Sequence, residues 1–167
     1  VMGRNSGWIA AGTALARSAP EGAPHVILLP EIPLEEEAFL DRVRAIASAH
    51  GSCVVVVGEG LKDKDGKEIG AHPTLKDAAG RPLLSGAGEK IANLVQTRLG
   101  LEARSVKLGY AQRCAAHCAS AADVADAVAC GEAAVRAAVE GKSGSMVKIV
   151  RTQNNPYEAT TELEDLQ

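Results

Sequence analysis

Two continuous apolar runs, "HVILLP" (25–30) and "CVVVVGEG" (53–60), are bounded by turn residues and carry almost no polar position, the mark of strands buried on both faces. Around them the apolar positions recur at helical spacing. Trp8, Ile9, Ala11 and Leu15 predict a helix over 5–17, which "SAPEGAP" ends. Phe39, Leu40, Val43 and Ile46 predict a second, with Glu35, Glu36 and Glu37 crowding the end where a helix dipole favours carboxylates. Ile91, Leu94, Val95 and Leu99 predict a third, capped at Ser85 or Gly88 and closed by Gly100. A fourth runs through "ASAADVADAVACGEAAVRAAVEGKSG", from Ser120 to Gly141. "EARSVKLGYAQR" reads as a strand with its exit loop and "SMVKIVRTQNN" as the last strand. This alternation predicts an α/β fold: an open, mostly parallel sheet with helices on both faces, in three layers.

Residues 61–85 break the rhythm. There "KDKDG" and "DAAGRPLL" read as polar turns between short strands, a small hairpin inserted into the fold. One domain is expected over 1–155, followed by an acidic, loosely held tail over 156–167. Aromatic residues are limited to Trp8, Phe39, Tyr110 and Tyr157, so the core has to be built from Val, Leu, Ile and Ala. A net charge of −3 without a Lys/Arg block disfavours a nucleic-acid surface. No apolar run approaches the roughly 18 residues of a membrane span. The four cysteines sit in a chain without secretory features and are expected to be reduced, in a cytoplasm.

In open parallel sheets ligands bind beyond the C-terminal strand ends. The loops at those ends hold Arg4, Glu31 and Glu59, and after a third strand Tyr110 and Arg113. Guanidinium forks match phosphate oxygens and a carboxylate accepts from sugar hydroxyls, so the set suits a hydroxylated, phosphorylated molecule. Glu31 is read as a turn or cap residue. "CAAHC" places Cys114, His117 and Cys118 together as zinc-type ligands, but no second Cys pair closes a tetrahedron, and packing is the stronger reading. "SGAGEK" reads as a helix cap, and "DKDG" lacks the glutamate of a calcium loop.

Four segments in order, "MGRNSGWIA", "VVVVGEG", "ARSVKLGYAQR" and "GEAAVRAAVEGKSGSMV", closely resemble 6-phosphofructokinases over nearly the whole chain. The resemblance implies that Met2, Gly3 and Arg4 hold fructose 6-phosphate, that Glu59 accepts from a sugar hydroxyl, and that Tyr110 and Arg113 grip the phosphate region. Arg104 matches an arginine that, in bacterial ATP enzymes of the family, reaches the sugar phosphate from a neighbouring subunit. Three features tilt the resemblance toward the pyrophosphate-dependent branch: Tyr110 in place of a histidine, the 61–85 excursion, and a "SAHGSC" stretch lacking effector-site lysines.

What the family implies is transfer of a phosphoryl group to the 1-hydroxyl of fructose 6-phosphate, in glycolysis, with Mg²⁺ and with pyrophosphate or, alternatively, ATP as donor. A homo-oligomer, dimer or tetramer, is implied as well. The family's catalytic aspartates and donor-phosphate loops have no counterpart here. The chain, which opens on a loop after one strand-like residue, is therefore expected to be the acceptor-binding half of the enzyme, inactive alone. Mg²⁺ would be held mainly by a missing domain, and Arg4 would be the one contact near the transferring group. A non-catalytic sugar-phosphate binding or regulatory module is the alternative.

Overall fold

The two apolar runs pair with each other. Val26–Leu28 (β1) and Val55–Val57 (β2) lie parallel in the register Val26–Val55, Ile27–Val56 and Leu28–Val57, as strands without a polar face require. This computed structural model describes residues 1–166; Gln167, the end of the expected tail, lies outside the described residues. The crossover between β1 and β2 is the helix Glu36–His50 (α2), stopped by Gly51 at φ 73°, where the left-handed turn suits glycine alone. Before β1, Trp8–Gly12 forms a short helix (α1) that passes into a 3-10 turn over Thr13–Ala16. The apolar face read from the sequence there is largely exposed, Trp8 and Leu15 almost completely, and Ala10 is the residue that packs inward.

The chain divides into two compact units, Val1–Gly109 and Tyr110–Gln167. The first owns the core. Val26 from β1, Phe39, Leu40 and Val43 from α2, and Ile91 and Val95 from Ala87–Leu99 (α3) form one buried cluster with Leu34 and Leu61. Leu61 is fully buried and anchors the start of the 61–85 excursion to that cluster. Beyond it Ala71–Lys76 (β3) and Pro82–Leu84 (β4) pair antiparallel, which is the inserted hairpin the sequence predicts. Its base is pinned at Gly70, whose carbonyl accepts from the Ser85 and Gly86 N–H groups at 3.2 and 3.3 Å. A Cβ on Gly70 would stand 2.8 Å from the Ala87 nitrogen, so the hairpin and the start of α3 meet too closely for a side chain.

In the second unit, Ala121–Val139 (α4) begins at Ser120, whose Oγ accepts from the Asp123 N–H at 3.3 Å. The helix packs on a long antiparallel pair, Ser145–Asn154 (β5) and Tyr157–Asp165 (β6), which runs from Ser145–Asp165 to Asn154–Tyr157 with a shift of register between Arg151 and Gln153. Tyr157 Oη donates to Asp126 Oδ2 at 2.5 Å, and the Arg151 guanidinium lies over the Tyr157 ring at 5.2 Å.

The α/β class and the helix positions thus agree with the pattern, while the described strands form three two-stranded sheets, of which β1 and β2 alone are parallel. Two readings change. Residues 101–108 form no strand, and "GYAQR" is a 3-10 turn, Gly109–Arg113, instead of a strand exit. The tail expected to be loose is β6: Ala159, Thr161 and Leu163 alternate with Glu158, Thr160, Glu162 and Glu164, a period-2 pattern that its acidic composition hid. Among the described residues no helix is long and apolar enough to cross a membrane.

Candidate functional site

The loop over residues 2–4 is locked onto the end of β2 through backbone. The Val1 nitrogen donates to the Val57 carbonyl at 2.8 Å and the Glu59 N–H donates to the Val1 carbonyl at 2.9 Å, the bonding of a parallel neighbour to β2. Two residues on, the Gly3 N–H donates to Glu59 Oε1 at 3.1 Å. Gly3 itself takes φ 128°, and a Cβ there would fall 2.3 Å from the Ser6 carbonyl oxygen. Opposite, Gly60 has the backbone of Arg4 where a side chain would be: its Cβ position lies 1.6 Å from the Arg4 carbonyl oxygen. Met2, Gly3, Arg4 and Glu59 are therefore one constellation at the C-terminal end of a parallel strand, where such sheets place ligands.

Arg4 turns its guanidinium toward the inserted hairpin. Nη2 donates to the Pro82 carbonyl at 2.6 Å, Nη1 meets Glu68 Oε1 at 3.3 Å, and Asp77 Oδ2 stands 3.9 Å from Nη2. Asp77 is itself built into the hairpin turn. Oδ1 accepts from the Ala79 and Arg81 N–H groups and Oδ2 from Arg81 Nε, each at 2.9 Å. The Arg81 backbone N–H foremost, helped by its guanidinium and the Ala79 N–H, holds the Asp77 carboxyl below its ordinary value.

The other sequence-predicted residues have partners of their own. Glu31 Oε1 accepts from the Gly7 N–H at 2.7 Å, at the residue preceding α1, which makes it the cap its position suggests. Arg104 is exposed and bonds its chain neighbour Glu102 at 2.6 and 3.1 Å. Tyr110 and Arg113 belong to the second unit. In a 3-10 turn side chains three apart eclipse, and the Arg113 guanidinium lies over the Tyr110 ring at 5.7 Å.

Sequence reasoning missed Glu68, Asp77 and the Pro82 carbonyl as partners of Arg4, and missed Gly60. The available signal was weak: two acids among the turns of an excursion, and a glycine directly after the strand-end glutamate. Among the described residues no three of His, Cys, Asp and Glu come together as metal ligands would, and all four cysteines are free.

The family profile described as Phosphofructokinase matches residues 1–138. A Methylococcus capsulatus protein named pyrophosphate--fructose 6-phosphate 1-phosphotransferase is 41% identical over 157 residues, covering 94% of this chain and 37% of its own length. Its namesake from Xanthomonas campestris is 38% identical over 156 residues, covering 93% of this chain and 37% of its own length. The crystal structure of a pyrophosphate-dependent phosphofructokinase from Marinobacter aquaeolei superposes with a TM-score of 0.76 at 39% identity, covering 99% of this chain and 38% of that one. The chain thus spans less than two fifths of the length of each of these three relatives.

Proposed function

The chain belongs to the phosphofructokinase family, and on that premise we propose that it is the acceptor-binding part of an enzyme that moves a phosphoryl group from pyrophosphate to the 1-hydroxyl of fructose 6-phosphate. The observation that carries this reading is the interlock of two loops: Gly3 bonded to Glu59, and the Arg4 backbone seated on Gly60. It fixes the backbone of the Arg4 loop against the strand end that carries Glu59.

The proposed roles follow from the chemistry of each group. Glu59 spends one oxygen on the Gly3 N–H and offers the other to a sugar hydroxyl. Arg4 contributes a fork of N–H donors, fixed in direction before the substrate arrives, to the acceptor and to charge that develops on a transferring phosphoryl group. Met2 and Gly3 supply the backbone wall. Arg104, Tyr110 and Arg113 keep the phosphate-contact roles that the family pattern gives them. Pyrophosphate as donor is supported by the names of the relatives, with ATP the alternative. In the whole enzyme the helix–strand alternation would extend to a three-layer open sheet, in a cytoplasmic homo-oligomer serving glycolysis.

The family also implies Mg²⁺, which shields phosphate charge when bound. Among the described residues no three of His, Cys, Asp and Glu come together; the role we assign to this chain is to bind and orient the acceptor. We place donor handling in the length of the relatives that the chain does not span.

The test is a steady-state assay of the full-length protein with fructose 6-phosphate and either pyrophosphate or ATP. Formation of fructose 1,6-bisphosphate with pyrophosphate, and a fall in kcat/KM of at least about tenfold in Arg4→Ala, the value of a charge-assisted bond, are expected. No product with either donor would sink the reading; product with ATP alone would overturn the donor assignment.

A further inference from the structure

We propose that the inserted hairpin is a positioning element for the acceptor site, in which Glu68, backed by Asp77 and the Pro82 carbonyl, sets the direction of the Arg4 guanidinium. This rests on the reading above that Arg4 contacts the substrate. The hairpin is bound at both ends to the body of its unit. Leu61 plants its start in the core and Gly70 ties its base to the start of α3. A bridge between Lys62 and Glu68 and the Leu61 carbonyl bond to the Ile69 N–H, 2.8 Å, hold the segment that carries Glu68. Asp77 is rigidified by three bonds within its own turn. The acceptors that face Arg4 therefore stand on a braced frame.

The arrangement orients the fork without consuming it. A guanidinium has five N–H donors, and two of them are engaged here among the described residues. The shortest contact, 2.6 Å, goes to a neutral carbonyl, whereas the two carboxylates stand at 3.3 and 3.9 Å. Held on one side by the Pro82 carbonyl and the Glu68 carboxylate together, the fork keeps its remaining donors for an incoming phosphate or hydroxyl. The side chain is only 20% exposed, so its direction is set by these neighbours more than by water. Glu68 is in this sense a positioning residue, acting through Arg4.

The decisive variant is Glu68→Gln in the full-length protein, which keeps the shape and an acceptor oxygen but removes the charge. The expected result is a kcat/KM for fructose 6-phosphate lowered about fivefold, a charged bond discounted for partial exposure, with the melting temperature unchanged. In an Arg4→Lys background the same change should have no further effect, since the fork it positions is gone. A kcat/KM for Glu68→Gln within twofold of the parent, or an equal extra loss in the Arg4→Lys background, would overturn the proposal. A second readout is independent of the reaction: in NMR of the parent protein, rotation about the Arg4 guanidinium bonds should be slowed, and it should be released in Glu68→Gln. Slowed rotation in a protein that makes no fructose 1,6-bisphosphate would retire the functional reading while leaving the clamp; free rotation in the parent would retire the clamp itself.

Discussion

At Gly60 the Arg4 carbonyl oxygen fills the space of a side chain, at 1.6 Å from the Cβ position, and backbone cannot yield as the end of a flexible side chain does. Gly3 is constrained twice, by φ 128° and by the Ser6 carbonyl. These two glycines are the reason a two-residue register between the loops at 2–4 and 58–60 can exist. Gly60→Ala should push the Arg4 loop away from β2 and cost about 3 kcal/mol of stability, the upper part of the range for overpacking. Thermal unfolding would measure that loss. Gly66→Ala is an informative control: φ there is 77° but nothing lies within 4 Å of its Cβ position, so strain of the turn is the whole effect and it should cost about 1 kcal/mol. Equal losses at the two positions would mean that the close approach is not what selects glycine at 60.

At the scale of elements, the hairpin turn over 77–81 has a pH dependence whose sign follows from its bonds. The Asp77 carboxyl is held below its ordinary value of about 4, chiefly by the Arg81 N–H. A carboxylate depressed in the folded state contributes stability that is complete above its unfolded value and is lost as pH falls through the lower folded value. The Ala79 and Arg81 amides should therefore keep their shifts and slow exchange at neutral pH and lose both below about pH 4, together with the ordering of Arg4. An amide-resolved NMR titration measures this, with Asp77→Asn expected to be flat over the same range; a flat profile in the parent would mean that the bonds to Oδ1 do not form. The hairpin also shows what the sequence could and could not disclose. Its existence was legible from the change to turn residues after Leu61, and α2, α3 and α4 from their spacing and glycine stops. Its grip on Arg4 was not, because Arg4 lies 64 positions from Glu68 and 78 from Pro82, and nothing local to either residue marks the pairing. Glu59 was legible as a strand-end carboxylate; that it would brace Gly3 was not.

Over the whole molecule the two units differ in what holds them. The first buries residues of β1, α2 and α3 in one cluster, whereas α4 has no buried residue, and Val124, Val128, Val135 and Val139 on it are all exposed. The sequence could not reveal this, since an Ala- and Val-rich helix reads as core whether or not a partner covers it. Among the unit's described polar contacts, those of Tyr157 with Asp126, of Arg151 over Tyr157, and of Lys148 with Glu162 and Glu164 are solvent-facing. Exposed ion pairs of this kind contribute little, about 0 to 1 kcal/mol each. Opening free energy follows burial, so the 167-residue chain should not exchange its amides uniformly. By hydrogen exchange, α2 and α3 should be protected to the limit of global unfolding, while α4 should exchange orders of magnitude faster and β5–β6 in between, shielded by their long ladder. Adding fructose 6-phosphate at a saturating concentration should raise protection at 2–4, 58–60 and the hairpin, by mass action on the state that binds. Uniform protection across both units would mean that the valine stripe of α4 is covered in solution, and the chain would then have to be studied as an assembly rather than as a free fold.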